Sequence, residues 1–90
     1  MLLGKVVGTV TATRKSETLS GYKFLLVQPT MDTGEVKHGE MLVAIDVVGA
    51  GVGEEVILAT GRAARLAAGN EQLPVDATVV GIVDGMQMSA

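Results

Sequence analysis

Short apolar segments alternate with glycine-rich and polar clusters along the chain, and each apolar segment has the length of a β-strand. The first segment, residues 2–13, places Val6 and Val10 on one side of an alternating pattern and mostly polar or β-branched residues on the other. This period-two alternation predicts a strand. Gly4 and Gly8 lie inside the segment and predict a strong bend or a close approach between backbones, as in small barrels.

Four more segments have the features of strands. Residues 22–28 form the second, and Pro29 is expected to end it because proline cannot donate a hydrogen bond to a neighbouring strand. Residues 41–48 are a nearly continuous apolar run, which predicts a strand buried on both faces. The fourth and fifth segments are residues 54–60 and 77–84.

One segment, residues 61–69, is predicted to be helical because alanine, leucine and arginine favour helices. Thr60 is a candidate N-cap, and Gly69 suits the position just after the helix, where a left-handed conformation is common. Five strands with one short helix before the last strand predict a mostly β fold. The expected architecture is a small five-stranded OB-like Greek-key barrel.

A C-terminal tail, residues 85–90, follows the single predicted domain, residues 1–84. Met86 and Met88 alternate around Gln87, which predicts a fraying extension of the last strand. Methionine side chains suit adaptable contacts, so weak docking is a second interpretation.

Composition changes this picture, because 48% of the 90 residues are apolar. A chain of this size buries only about 60% of its unfolded surface when it folds alone. Large exposed apolar patches are rare on soluble monomers. The apolar surplus therefore predicts a buried interface between subunits.

The net charge is −3 and the isoelectric point is near 4.9. Nucleic-acid-binding modules are normally basic and stack bases on aromatic side chains. The chain has two aromatic residues, Tyr22 and Phe24, which would face one side of a single strand. An OB-type single-stranded nucleic-acid-binding module is thus an alternative function with a thin stacking platform and a charge of the wrong sign.

The absence of cysteine excludes disulfides, a thiolate nucleophile and Cys-ligated metal, and it is typical of a reducing cytoplasm. No apolar run reaches the roughly 18 residues of a membrane span. The first residues also lack the charged and apolar regions of a signal peptide. We therefore expect an intracellular protein without a membrane partner.

Residues 49–53 alternate glycine with alanine and valine, as in part of a dinucleotide fingerprint. The fingerprint needs a third glycine where Glu54 stands, and a helix where residues 54–60 predict a strand. A carboxylate at this point would also repel phosphate. The segment therefore predicts a tight strand-to-strand turn, packed near a neighbour, and no cofactor.

Residues 30–40 have turn chemistry, with bends expected at residues 32–34 and 38–39. His38 lies in this segment and is the one histidine of the chain. A metal site would need further ligands at productive spacing, and none accompany it. We expect a solvated loop histidine and no metal.

Three acids, Asp46, Asp76 and Asp84, lie at or beside the predicted strand ends. Carboxylates in such places accept turn or inter-subunit hydrogen bonds. The serines have neither a nucleophile elbow nor a plausible base, so no catalytic residue is predicted.

Five motifs follow one another in order along the chain. They are Gly8-Thr9-Val10 with Ala12-Thr13, Leu19-x-Gly21-x-Lys23 before Leu25-Leu26-Val27-Gln28-Pro29, Val43-Ala44-Ile45-Asp46 before Val48-Gly49-Ala50-Gly51-Val52-Gly53-Glu54, Pro74-Val75-Asp76-Ala77, and Val80-Gly81-Ile82-Val83-Asp84. Together, over residues 2–84, they resemble the bacterial microcompartment vertex proteins, the pentameric shell family also called EutN/CcmL.

The resemblance implies a structural protein and no enzyme. Its OB-like barrels would assemble into cyclic pentamers that cap the five-fold vertices of a bacterial microcompartment shell within the cytoplasm. Such a ring is heterologous, because one face of each subunit meets a different face of the next. The implied partners are copies of the chain itself and hexameric microcompartment shell proteins, with no nucleic acid, membrane or cofactor.

Eight residues are candidates for the subunit interface or for a pore on the five-fold axis. They are Asp46, Gly49, Gly51, Gly53, Glu54, Arg62, Arg65 and Asp76. Arg62 and Arg65 share a helix face, which is either solvated or in contact with a neighbour. Arg62 also departs from the family pattern, and a cation in the first turn opposes the helix dipole. We expect an acid on a neighbouring subunit to offset it. Val47 is a second departure, at a position that is usually polar.

Overall fold

The computed structural model describes residues 1–30, 40–87 and 89. The bounds are β1 Leu2–Val10, a short 3₁₀ helix Glu17–Leu19, β2 Lys23–Thr30, β3 Leu42–Asp46, β4 Glu55–Thr60, α1 Gly61–Ala67 and β5 Ala77–Ile82. The predicted bends at residues 32–34 and 38–39, with His38, lie outside the described residues, as does Met88. Neither helix of the described part is long and apolar enough to span a bilayer.

The five strands close into a barrel in the order β1-β2-β3-β5-β4. Four of the pairings are antiparallel, and β3 runs parallel to β5. Helix α1 connects β4 to β5 and packs on these same two strands. The predicted OB-like barrel with one short helix before the last strand is therefore confirmed.

Inward-facing aliphatic side chains fill the barrel. The buried members of this core are Val6, Leu25, Val27, Ala44, Ala50, Val56, Leu58, Ala77 and Val79. Ala50 belongs to the connection between β3 and β4, so this connection covers part of the core. Close packing of small aliphatic residues explains how the barrel forms with so few aromatic side chains.

A second group of buried residues lies outside the barrel core. Ile45 and Thr78 are fully buried, although they alternate along their strands with residues of the barrel core and so face outward. Ala64 and Leu73 are buried outside the barrel core too. Thr78 Oγ1 donates a hydrogen bond of 2.8 Å to the carbonyl oxygen of Ala64, which fixes α1 on β5.

Gly4 of β1 packs closely against β2. A Cβ atom at this position would lie 2.6 Å from Val27 Cγ1, so only glycine fits without a shift. A register shift between Val6 and Gly8 marks a bulge, which interrupts the predicted alternation and leaves Val7 exposed. Of the two alternatives that the glycines predict, the close approach is confirmed at Gly4.

Pro29 does not end β2, which continues to Thr30. Pro29 pairs with Gly4 of β1, whereas the pairing with β3 stops at Val27 and Leu42. Because β3 does not pair with β2 beyond that point, the edge of β2 that faces β3 needs no N–H donor at Pro29. The prediction that proline stops the strand was wrong for this reason.

The apolar run predicted a third strand buried on both faces, but in the structure its outer face is partly exposed. It spans Leu42–Asp46, and Val43 on its outer face is 51% exposed. Val47 and Val48 follow the strand and are exposed as well. A continuous apolar run therefore marks surface here as well as core.

The helix begins after Thr60, whose side chain makes no capping hydrogen bond although it occupies the N-cap position. At the other end Gly69 has a φ of +87°. Its N–H donates to Leu66 and that of Asn70 donates to Arg65, the Schellman arrangement. The predicted role of Gly69 is confirmed.

Two strand ends also differ from the prediction. Strand β2 begins at Lys23, so Tyr22 does not share a strand face with Phe24. Strand β5 ends at Ile82, and a last hydrogen bond joins the Val83 N–H to Glu55, the first residue of β4. Beyond this point β4 offers no partner, so Met86 does not extend the strand.

Candidate subunit interface

The connection between β3 and β4 is fixed at its start by a buried carboxylate. Asp46 Oδ1 accepts hydrogen bonds from the N–H groups of Val48 (3.1 Å) and Gly49 (3.2 Å). The Asp46 side chain is 2% exposed, and its Oδ2 lies 3.7 Å from Lys23 Nζ. Lys23 Nζ also donates a 2.6 Å hydrogen bond to the carbonyl oxygen of Ala50. Asp46 thus makes the turn hydrogen bonds that the sequence predicts.

The end of the same connection is fixed by Glu54. Its Oε1 accepts a hydrogen bond of 2.7 Å from the Gly51 N–H, and its own N–H donates to the Gly51 carbonyl. The Gly53 N–H donates to the Val6 carbonyl at 2.8 Å, which ties the connection to β1. Gly49 and Gly53 have φ angles of +83° and +93°, a region that other residues rarely adopt.

We call residues 47–54 the β3–β4 turn. Three apolar side chains project from it into solvent: Val47, Val48 and Val52, the last of them 61% exposed. Because hydrogen bonds at both ends hold the backbone, this apolar surface is preformed. A preformed surface loses little conformational entropy on binding.

The β3–β4 turn lacks the features of a phosphate site. The Glu54 carboxylate occupies the Gly51 N–H, one of the donors that a phosphate would need. Strand β4 follows the turn, where a nucleotide fingerprint needs a helix. The predicted strand-to-strand turn is confirmed.

The two arginines of α1 differ in their partners. Arg62 Nε and Nη2 donate to Glu71 Oε1 at 3.0 and 2.8 Å. The acid that offsets Arg62 therefore belongs to the same chain, and the expectation of an acid on a neighbouring subunit was wrong. Arg65 is half-buried and has no side-chain partner within the described part of the chain.

Asp76 lies beside the start of α1, because its carbonyl oxygen accepts the Gly61 N–H at 2.9 Å. Its exposed side chain has no partner among residues 1–30, 40–87 and 89. The eight candidates thus form two groups. Five of them lie in or beside the β3–β4 turn, and the two arginines lie with Asp76 around α1.

Sequence reasoning missed most of the exposed apolar surface. Ten large apolar side chains of the described residues are exposed: Met1, Leu2, Val7, Met41, Val43, Val47, Val48, Val52, Leu66 and Met86. Val43 lies opposite Leu26 on the outer face of the barrel, and Leu26 lies opposite Gly8. Val43, Leu26 and Gly8 thus give this part of the outer face no charged side chain. Strand alternation could have revealed this uncharged surface.

Neither a stacking platform nor a metal site is apparent in the part of the chain that the structure describes. Tyr22 is half-buried and its hydroxyl donates to the Ala68 carbonyl at the end of α1 (3.3 Å). Among the described residues, no group of three His, Cys, Asp or Glu side chains could hold a metal ion. The surface instead offers preformed apolar contacts and a few unpaired charges.

Comparison with known families gives one match over nearly the whole chain. The family model of ethanolamine utilisation protein EutN and carboxysome proteins matches residues 1–84. The bacterial microcompartment shell vertex protein GrpN of Rhodospirillum rubrum is 47% identical over 87 residues, which cover 97% of each chain. The carboxysome shell vertex protein CcmL of a Synechocystis species is 48% identical over 90 residues, covering 100% of this chain and 89% of its own.

Solved structures agree with these relatives. The pentameric microcompartment shell protein GrpN from Rhodospirillum rubrum superposes with a TM-score of 0.88 at 44% identity, covering 99% of this chain and 100% of its own. An ethanolamine utilization protein, EutN, superposes with a TM-score of 0.92 at 40% identity, covering 98% of this chain and 91% of its own.

Proposed function

Because the chain belongs to the EutN/CcmL family, we propose that five copies of it form a closed ring that caps a five-fold vertex of a bacterial microcompartment shell. The observation that carries this proposal is the similarity, over 99% of the chain, to a pentameric shell protein. A lattice of hexagonal tiles closes only where pentagonal units occupy its five-fold positions. The chain acts as such a unit, and its site of action is the shell.

The exposed apolar side chains support a ring. A stable interface covers about 800 Å² on each partner. In a ring every subunit has two neighbours, so about 1,600 Å² of the 5772 Å² accessible surface of one subunit would be covered. Apolar side chains such as Val43 and Val52, exposed on the isolated subunit, are suited to this burial.

The β3–β4 turn is one part of the proposed interface. Five of the candidate residues act there indirectly, since they fix the backbone from which the valines project. They are Asp46, Gly49, Gly51, Gly53 and Glu54. Permanent interfaces are apolar and well packed at their centre, which suits this turn.

The charged candidates around α1 form a second part. Arg65 and Asp76 lack side-chain partners in the described part of one chain, so each is available to a neighbour. Arg62 is less suited to this role because Glu71 already accepts two of its hydrogen bonds. The proposal allows these residues two positions, either at the contact between subunits or at the border of the central axis.

The role is structural, and residues 1–84 carry it as one domain, with 85–90 as a tail. The relatives are shell vertex proteins, which indicates that the chain is not an enzyme. Hexameric shell proteins are the proposed neighbours of the ring. The nucleic-acid alternative gains no support from these relatives, nor from Tyr22, whose hydroxyl is bound to α1.

Native mass spectrometry of the purified chain tests the proposal. A dominant species of five subunits supports the ring, and a monomer or dimer at micromolar concentration contradicts it. Co-expression with hexagonal shell tiles tests the vertex role. Closed polyhedral shells should form with the chain present, and open sheets or tubes should form without it.

A further inference from the structure

Two clefts on the described surface carry opposite charge. The first, about 430 Å³ in volume, is lined by the carboxylates of Glu54, Glu55 and Asp84 and by no basic residue. The second, about 280 Å³, is lined by Lys15 and Lys23 and by no acid. We refer to them as the acidic cleft and the basic cleft.

Within one described subunit the acidic cleft is not neutralised. The side-chain carboxylates of Glu55 and Asp84 have no hydrogen-bonding or ionic partner among the described residues. Glu54 uses one oxygen to accept the Gly51 N–H. Lys5 lies opposite Glu55 in the β1–β4 register, yet no ion pair joins the two side chains.

One of the two lysines of the basic cleft has no acidic partner within the described residues. Lys23 is engaged by Asp46 and by the Ala50 carbonyl. Lys15 lies on the surface and contacts only the Ala12 carbonyl at 3.3 Å, within the described residues. Arg14, next to it in the chain, is exposed and has no partner there. We call Arg14 and Lys15 the basic segment.

Within the described subunit no ion pair joins the basic segment to the acidic cleft. The acidic cleft adjoins β1 at Lys5, which is paired with Glu55, whereas the basic cleft begins at Thr9 and Val10. Along a strand, the five steps from residue 5 to residue 10 span about 15 Å. The basic segment follows the end of β1 and forms no ion pair with an acid of the described subunit, so its cations are available to another molecule.

We infer that the basic segment of one subunit seats against the acidic cleft of the next subunit in the ring. The inference rests on the proposed function, because a heterologous ring needs two different and mutually complementary surfaces on each copy. Opposite charge on the two clefts meets that need. Complementary charges at the rim of an interface also fix its register and reject wrong orientations.

Charge reversal tests the pairing, with the pentamer fraction measured by native mass spectrometry over a range of subunit concentrations. The cleft variant carries Glu55→Lys and Asp84→Lys, and the segment variant carries Arg14→Glu and Lys15→Glu. Each should raise the concentration for half-assembly by about ten-fold or more, since like charges then meet in every contact. The combined variant should return to within about three-fold of the wild type, because opposite charges meet again.

Matched controls separate this pairing from general charge effects. All four positions are exposed, and circular dichroism should show an unchanged fold in each variant. Gln72→Lys, which adds a cation outside both clefts, should assemble as the wild type does. Reversal variants that assemble normally, or a combined variant that shows both losses added together, would overturn the pairing. A wild type that forms no pentamer would instead overturn the proposed function itself.

A cross-link gives a direct readout, because the chain contains no cysteine of its own. Lys15→Cys with Asp84→Cys, treated with a short bifunctional maleimide, should give a covalent ladder that extends to five subunits. Lys15→Cys with Gln72→Cys should give no such ladder. A ladder in the control but not in the test pair contradicts the inferred contact.

Discussion

The ammonium of Lys23 lies 3.7 Å from Oδ2 of Asp46, and these two residues are direct partners in the β2–β3 register. The sheet itself therefore sets their separation. Lys23 also binds the Ala50 carbonyl, and Asp46 binds two backbone N–H groups of the same turn. The pair thus transfers the order of the sheet to the β3–β4 turn, where the proposed interface begins.

Replacing Asp46 with alanine should loosen this turn. Two N–H groups lose their acceptor and Lys23 loses its counter-ion, so we expect the free energy of unfolding to drop by about 1–3 kcal/mol. Urea unfolding at a fixed subunit concentration measures this, because assembly makes stability depend on concentration.

Asp46→Asn is the matched control for that change. The amide keeps an oxygen that accepts the two backbone hydrogen bonds and loses only the attraction to Lys23. It should therefore be less destabilising than Asp46→Ala. Equal losses in the two variants would mean that the charge, not the turn hydrogen bonds, determines the effect.

Local patterns predicted the barrel, because strand alternation, glycine turns and helix propensity act over a few neighbouring residues. They failed where the outcome depends on distant parts of the chain. Pro29 stays in β2 because the β3 ladder ends two residues earlier, which no local pattern indicates. Val43 is exposed although Ile45, on the same outer face of β3, is buried, so the apolar run does not reveal which of the two is covered.

The candidate site was likewise predictable where it depends on neighbouring residues and not where it depends on distant ones. The glycine turn and the role of Asp46 followed from strand ends and turn chemistry. The partner of Arg62 did not, since Glu71 lies nine residues away across the helix end. The acidic cleft was not predictable for the same reason, because residues 53–55 and 82–86, far apart in the chain, line it together.

Gly4→Ala should destabilise the barrel by about 1–3 kcal/mol. The new methyl group would lie 2.6 Å from Val27 Cγ1 and 3.2 Å from the Gln28 carbonyl oxygen, so the Val27 side chain or the adjoining backbone must shift. Gly8→Ala is the matched control, since its nearest contacts would be at 3.8 Å. Thermal unfolding of both variants measures the difference, and equal melting temperatures would contradict the close approach at Gly4.

Val52→Asp should weaken the ring while leaving the subunit folded. Val52 is 61% exposed in the isolated chain, so the change removes little buried surface from the barrel. In the assembled ring it would bury an unpaired carboxylate, which costs several kcal/mol. Native mass spectrometry should show monomers where the wild type shows pentamers. Val52→Thr, which has a similar shape, should assemble nearly as well as the wild type, and pentamers of Val52→Asp would place the turn outside the interface.

The pair of Arg62 and Glu71 distinguishes a contact within the chain from a contact between subunits. Both side chains are largely exposed, so a double-mutant cycle with Arg62→Ala and Glu71→Ala should give a coupling of about 0.2–1 kcal/mol that weakens with salt. If that pairing is the whole role of Arg62, either variant should assemble as the wild type does. Arg65→Ala, which removes a cation without a described partner, should instead reduce the pentamer fraction. The reverse order, with assembly sensitive to Arg62 and indifferent to Arg65, would show that Arg62 leaves Glu71 to bind the neighbouring subunit.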